Sequence, residues 1–209
     1  MPVLNIFIYM SLVFKFGTMA SGKSLHLLAT AHNFQEHGIP FLIFKSKIDT
    51  RDGENVVSSR ALGTKECITI ESYDNIYEMI NCYSQISSDK PKVKYILVDE
   101  AQFLTPKQVE ELAQITDNLG INVICYGLKT DFRTELFPAS KRLLEIADEI
   151  EEIESICYCG RKTMFNARIN SDKEIVIDGN QIEVGGDDRY VALCRKCYFD
   201  KINCKNKKL

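Results

Sequence analysis

Gly17, Thr18, Met19, Ala20, Ser21, Gly22, Lys23 and Ser24 follow one another in the spacing G-x4-G-K-[ST]. That spacing binds phosphate for a physical reason. Two glycines let the backbone curl so that successive N–H groups point inward, and the helix that follows adds its positive N-terminal end. Lys23 then reaches the β- and γ-phosphates, while the Ser24 hydroxyl binds Mg²⁺. The plainer reading is a glycine-bearing turn ahead of an ordinary helix. Context favours the phosphate loop: a β-branched and aromatic run at 6–16 precedes it, and Leu27, Leu28, Ala31 and Phe34 share one side of the helical pattern after it.

An acidic pair closes the apolar run 93–98. Beside a phosphate loop, Asp99 is expected to act on Mg²⁺ directly or through water. Glu100 is placed to accept a proton from whatever attacks the γ-phosphorus, water in an ATPase or a substrate hydroxyl in a kinase. The glutamate alone does not decide which. Phosphoryl transfer asks mainly for positioning and charge neutralisation, so a cation near the transferring group is expected. Arg51 is the first choice and Arg133 its rival, with a surface ion pair as the alternative for either.

A second chemistry lies near the C-terminus. Cys157 and Cys159 form C-x-C-G, and Cys194 and Cys197 form C-x2-C. Four thiolates satisfy tetrahedral Zn²⁺ and leave no open position, so the metal is expected to be structural. A small unit that buries little apolar surface gives that metal a folding role. Redox or inert cysteines are the alternative, and Cys204 competes as a ligand. Cys67, Cys82 and Cys125 read as solitary small hydrophobes. Gly185, Gly186 and Tyr190 suggest a lid over a flat ligand, or simply a glycine turn. The three histidines all fall at 26–37 and read as surface or helix-end residues.

The elements that must position these groups alternate between strand and helix. Apolar runs at 6–16, 41–44, 93–98 and 121–126 read as buried strands, and helical patterns follow at 23–37, 73–85, 105–120 and 139–150. The run 45–63 is polar and loop-like, and 175–177 with 181–184 reads as a hairpin turned at Asp178, Gly179 and Asn180. The expected fold class is α/β: a phosphate-loop NTPase core with a mostly parallel sheet, 1–152, plus a small zinc-binding lid domain, 153–209. Its ligand belongs beyond the carboxyl ends of the strands.

The 209 residues are 45% hydrophobic and 26% charged, ordinary for a globular chain. A net charge of −3 argues against a protein built to coat nucleic acid. The apolar N-terminus is too short to span a bilayer, carries Asn5 and Lys15, and lacks the basic start of a signal peptide. A buried strand is expected there, with the residues before Met10 read as extra. Eight cysteines with no export signal point to metal rather than disulfides, in a reducing cytoplasm.

Several segments together carry a family resemblance: 18–24 (TMASGKS), 47–51 (KIDTR), 98–104 (VDEAQFL), 125–133 (CYGLKTDFR), 156–162 (ICYCGRK) and 185–198, where a glycine, an acidic residue and a tyrosine precede Cys194 and Cys197. In that order they resemble the tetrameric, zinc-containing thymidine kinases of bacteria, animals and poxviruses, over nearly the whole chain. The resemblance implies ATP-dependent phosphorylation of the thymidine 5′-hydroxyl, with Glu100 as base and 17–24 holding the triphosphate. It adds Asp49, Thr50, Arg51, Asp99, Ala101 and Gln102 as nucleotide contacts. It places Phe132 and Tyr190 against thymine, lines an apolar pocket with Met19, Leu128 and Phe137, and sets the backbone of Gln181, Ile182, Glu183, Val184 and Gly185 along the base edge. It further implies a homotetramer inhibited by dTTP, with no nucleic-acid or membrane partner. Thr18 and Ala20 stand where many relatives carry proline and phenylalanine, and C-x-C replaces the C-x2-C of several branches. Without the resemblance, a nucleic-acid-handling ATPase with a zinc ribbon is the rival reading.

Overall fold

The computed structural model describes residues 10–50, 53, 55–59, 61–86, 92–183 and 189–206. In chain order its first half forms β1 (Leu12–Phe16), α1 (Lys23–Glu36), β2 (Phe41–Ser46), β3 (Val56–Ser59), β4 (Gly63–Glu66), β5 (Ile68–Ile70), α2 (Ile76–Ile86) and β6 (Tyr95–Asp99). The second half forms α3 (Pro106–Gln114), β7 (Asn122–Gly127), α4 (Pro138–Ile146), β8 (Glu149–Glu152), β9 (Phe165–Ile169), β10 (Ile175–Val176), β11 (Tyr190–Leu193) and α5 (Arg195–Asn206).

Six strands make one sheet in the order β5-β2-β6-β7-β1-β8. Every neighbouring pair is parallel. Their continuous apolar runs follow from burial on both faces. Leu12, Phe14, Phe44, Ile96 and Val98 point to one side and pack with Ile76, Ile80, Val109, Leu112 and Leu143 of α2, α3 and α4. Ile43, Leu97 and Tyr126 point to the other side, against Leu27, Leu28 and Ala31 of α1. The result is three layers, with α1 and Val57 of β3 on the face opposite α2, α3 and α4.

A second sheet, β10-β9-β11, is antiparallel. Beside it a separate cluster gathers Cys157, Ala167, Ile175, Leu193, Cys194, Cys197 and Tyr198.

Three expectations are corrected. The helix expected over 139–150 stops at Ile146. Asp148 then bonds to the start of β1, its N–H donating to the Leu12 carbonyl at 2.9 Å and its Oδ2 accepting from the Leu12 N–H at 2.8 Å. Residues after it continue as an edge strand, and its side chains are exposed, so no apolar period marks it. The polar stretch 45–63 holds β3, whose pairing with β4 makes a hairpin; Val57 is buried against α1. Near the C-terminus β10 pairs with β9 and not with 181–183, the described part of the strand expected at 181–184, and Arg168 Nη2 donates to the Asn180 carbonyl at 3.0 Å behind the turn. The proline and cap expected at 105–106 are present: Thr105 and Gln108 form a reciprocal capping box at the start of α3.

Candidate active site

The phosphate loop leaves β1 at Phe16 and enters α1 at Lys23. Gly17 is required by space. A Cβ there would meet the Ile153 carbonyl at 2.6 Å and would clash with the Ser21 hydroxyl. Gly22, at φ 86, turns the chain left-handed into the helix, a conformation that favours glycine. Lys23 is buried, and its Nζ donates to the Thr18 carbonyl at 2.8 Å, so the ammonium lies folded over the loop. The Ser21 hydroxyl is buried with no hydrogen-bond partner among the described residues. Buried polar groups are normally satisfied, and a phosphate oxygen fits that orphan.

Asp99 and Glu100 sit at the carboxyl end of β6, facing the loop. The Ser24 hydroxyl donates to Asp99 Oδ2 at 3.1 Å. These two oxygens are the pair that a magnesium–triphosphate would use. Burial pushes the Asp99 carboxyl up to about 7 and the Glu100 charge adds to it, while the Ser24 hydroxyl and Lys23 oppose the rise. Glu100 is itself buried and held at φ 50, ψ 42, a left-handed conformation costly for a non-glycine residue. Gln102 fixes its side chain. The Gln102 amide donates to Glu100 Oε2, and its Oε1 accepts from the Leu128 N–H at 2.9 Å at the end of β7. Strain at one residue, held by a buried amide, fixes the direction of the Glu100 carboxylate.

One cavity of about 680 Å³ is shared by the phosphate-loop residues and an aromatic group. Its lining includes Lys23, Ser24, Asp49, Glu100 and Gln102 together with Met19, Leu128, Phe132, Phe137, Gln181, Ile182, Glu183 and Tyr190. The aromatic group is organised by Arg168, a buried residue of β9. Its guanidinium lies 3.8 Å from the Phe132 ring centroid and 5.4 Å from that of Tyr190. It donates to the Tyr190 hydroxyl from Nε at 3.1 Å and from Nη2 at 2.9 Å, and it pairs with Glu183 at 3.2 Å. Tyr190 Oη in turn donates to the Glu183 carbonyl at 2.9 Å. Buried Asp131 collects the Arg133 and Glu135 N–H groups at 2.8 and 3.0 Å and the Gln181 amide at 3.2 Å. Tyr198 of α5 donates to the Phe132 carbonyl at 2.6 Å.

The four expected metal ligands come together. Sγ atoms of Cys157, Cys159, Cys194 and Cys197 all lie within 4.8 Å of one another, with Cys159 and Cys194 3.6 Å apart. Tetrahedral zinc with bonds of about 2.3 Å sets sulfur pairs about 3.8 Å apart, so the group could hold zinc with little movement. The Cys197 N–H donates to Cys194 Sγ at 3.4 Å, and backbone hydrogen bonding of this kind lowers the Cys194 thiol to about 7. A ligand that is readily a thiolate suits a metal.

Not every expected residue is placed in the cavity. Arg51, Val184 and Gly185 lie outside the described residues, as does the Cys204 side chain. Thr50 is exposed, Ala101 is buried in the core, and neither lines the cavity. Arg133 is committed to Asp131 at 3.1 Å and to Glu135 at 3.3 Å, which supports its ion-pair alternative. Cys67 and Cys125 are buried as expected, and burial pushes the Cys67 thiol up to about 11; Cys82 is exposed, on the outer side of α2. Sequence reasoning missed Arg168, Asp131, Asn166 and Lys45. Lys45 is buried at the end of β2, where it pairs with Asp49 at 3.3 Å. A lysine ending an apolar strand run was its only signal. Arg168 lies in a strand that alternation failed to reveal.

A parallel sheet with a phosphate loop after its first strand and an acidic pair ending another defines a phosphate-loop nucleotide-binding α/β protein. Among the described residues no helix is long and apolar enough to cross a membrane. The family model described as thymidine kinase matches residues 10–198. The chain is 43% identical over 190 residues to the thymidine kinase of Haemophilus influenzae strain 86-028NP, covering 91% of this chain and 96% of that one. To the thymidine kinase of Pasteurella multocida strain Pm70 it is 44% identical over 191 residues, 91% and 97% of the two chains. To that of Zymomonas mobilis it is 42% identical over 192 residues, 92% and 97%. The chain belongs to the thymidine kinase family.

Proposed function

We propose that the protein transfers the γ-phosphate of ATP to the 5′-hydroxyl of thymidine, and less readily of deoxyuridine, giving dTMP and ADP. One observation carries this reading: Lys23, Ser24 and Glu100 line the same cavity as Phe132 and Tyr190. In this reading the triphosphate lies against the phosphate loop and the flat nucleoside against the aromatic residues, with Glu100 beside the group transferred.

The chain's own residues then divide the work. Residues 17–24 hold the triphosphate through backbone N–H groups, the Ser21 hydroxyl and Lys23, and Lys23 swings from the Thr18 carbonyl to the phosphates. Asp49, Thr50, Arg51, Asp99, Ala101 and Gln102 complete the nucleotide-binding segments, with Arg51 as the neutralising cation. Ser24 and Asp99 would hold Mg²⁺, which would supply charge neutralisation for the transferring phosphate. Glu100 accepts the 5′-hydroxyl proton from a position that Gln102 fixes. Phe132 and Tyr190 flank thymine, Met19, Leu128 and Phe137 supply its apolar surroundings, and the backbone of 181–185 faces its polar edge. Thymine offers an N3–H donor between two carbonyls, whereas cytosine reverses part of that pattern, and a site left with unpaired polar groups rejects the wrong base. A single methyl discriminates much less, so deoxyuridine remains a substrate.

Zinc in the cysteine cluster is structural in this reading, and the chain divides into 1–152 and 153–209, supported by the separate apolar cluster around the cysteines. A homotetramer, inhibition by dTTP and a cytoplasmic location rest on the family alone. The test is γ-labelled ATP offered with a panel of nucleosides and, separately, with single-stranded DNA. Label appearing in dTMP, less in dUMP and none with cytidine is expected. Hydrolysis of ATP stimulated only by DNA overturns the proposal.

A further inference from the structure

The phosphate loop is tied not only to its own helix but to the turn that carries the first cysteine pair. Thr18 is buried, and its hydroxyl lies 2.9 Å from the Ser155 hydroxyl and 2.9 Å from that of Thr163. Ser155 and Thr163 bond to each other as well, closing a ring of three hydroxyls. These two residues are the base of the cysteine turn. The Thr163 N–H donates to the Ser155 carbonyl at 2.9 Å, Ile156 bridges Lys162, and the Cys157 N–H donates to the Arg161 carbonyl at 2.7 Å. Two further bonds run the same way. The Met19 N–H donates to Asn166 Oδ1 at 2.7 Å, and Asn166 belongs to β9, whose partner β11 leads into Cys194. The Ile153 N–H donates to the Phe16 carbonyl at 2.7 Å, which sets the Ile153 carbonyl against Gly17.

An α-helix start and two glycines leave a loop free to curl in more than one way; Thr18 and Met19 here, and Phe16 just before the loop, are held from outside it. We infer that Ser155 and Thr163 are positioning residues for the triphosphate: the cysteine turn holds Thr18, and so the loop, in its phosphate-binding curl. Neither lines the cavity, so neither touches a substrate. The inference rests on the phosphate-loop reading above and adds a cause for its geometry. On this inference the cysteine cluster bears on nucleotide binding from a distance, because the turn that carries Cys157 and Cys159 is the turn that the loop leans on.

The test is Thr163→Val, nearly the same shape without the hydroxyl, measured with Thr163→Ser and Ser155→Ala. ATP and thymidine affinities are titrated separately, and bound zinc and thermal midpoint are recorded for each variant. Loss of a buried hydroxyl partner weakens what it holds by about tenfold. The expected result for Thr163→Val is an ATP Kd raised about tenfold on that basis, a thymidine Kd changed less than about twofold, zinc retained, and recovery in Thr163→Ser. An unchanged ATP Kd, equal weakening of both ligands, or failure of serine to rescue overturns the inference. Should Thr163→Val lose its metal, Ser155→Ala is read by the same criteria. A wild-type protein that binds no ATP sinks the phosphate-loop reading itself, a result distinct from all of these.

Discussion

Replacing Arg168 with methionine tests whether the thymidine end of the site is assembled before the ligand arrives. Arg168 is only 5% exposed, and it links four groups: the Phe132 ring at 3.8 Å, the Tyr190 hydroxyl at 2.9 and 3.1 Å, the Asn180 carbonyl at 3.0 Å and the Glu183 carboxylate at 3.2 Å. Hydrogen bonds to a charged donor contribute about 1.5–3 kcal/mol each, and they are not additive within one cluster. Glu183 is half-exposed and also bonded to Arg189, so it is not left stranded in an apolar interior. A loss of about 2 kcal/mol in holding the segment 180–183 against Tyr190 is therefore reasonable, and it converts to about 30-fold in affinity. The assay is steady-state kinetics with each substrate varied in turn. Arg168→Met should lower kcat/KM for thymidine about 30-fold and move KM for ATP less than about twofold, because none of those partners of Arg168 among the described residues belongs to the phosphate loop. Arg168→Lys keeps the charge but loses the planar fork, so it should recover only part of the loss. Unchanged thymidine kinetics, or equal damage to both substrates, refutes the reasoning.

The Asp99 carboxyl, raised to about 7 by burial and by Glu100, gives a pH dependence with a definite sign. The native state then holds a proton that the unfolded chain, titrating at about 3.9, has already lost, so this group's contribution is full at acid pH and declines as pH climbs from about 4 to about 7. The thermal midpoint of metal-free protein, relative to Asp99→Asn, should fall across that window. A difference independent of pH contradicts the assignment. Removing metal with a chelator should lower the thermal midpoint and expose all four cluster thiols to a thiol reagent, because the small unit around Cys157, Cys159, Cys194 and Cys197 has only a small apolar cluster of its own. Thiols equally reactive before and after chelation would show that the cluster holds no metal.

How much could be read from the residues depended on whether the signal was local. The phosphate loop, the acidic pair, the Thr105 cap and both cysteine pairs each depend on chemistry between near neighbours, and each stands where its spacing predicts. The four central strands of the sheet were legible because burial on both faces makes their runs continuously apolar. Edge and hairpin strands mostly were not, although β10 stands within the strand expected at 175–177. β8 has exposed side chains throughout and is recruited by Asp148 bonding to Leu12, a contact between residues distant in the chain. β9 mixes Phe165, Asn166, Ala167 and Arg168, because Asn166 lines the cavity and Arg168 holds two residues that line it, Phe132 and Tyr190. The same cause hid Arg168 and Asn166. Pattern reading expects apolar residues in a strand interior, and a binding wall breaks that pattern by necessity. Gln102 was expected on the nucleotide, yet its visible work is to hold Glu100 and Leu128.

The central claim is that Glu100 takes a proton from the thymidine 5′-hydroxyl while the rest of the site only binds and positions. Glu100→Gln keeps the size of the side chain, and the bond from Gln102 can be retained by the new amide oxygen. Measured by single-turnover transfer from γ-labelled ATP, the chemical step should slow by about 10²–10⁴-fold while the Kd values for ATP and thymidine stay within about twofold. Transfer at a near wild-type rate, or a loss explained wholly by weaker binding, would contradict it.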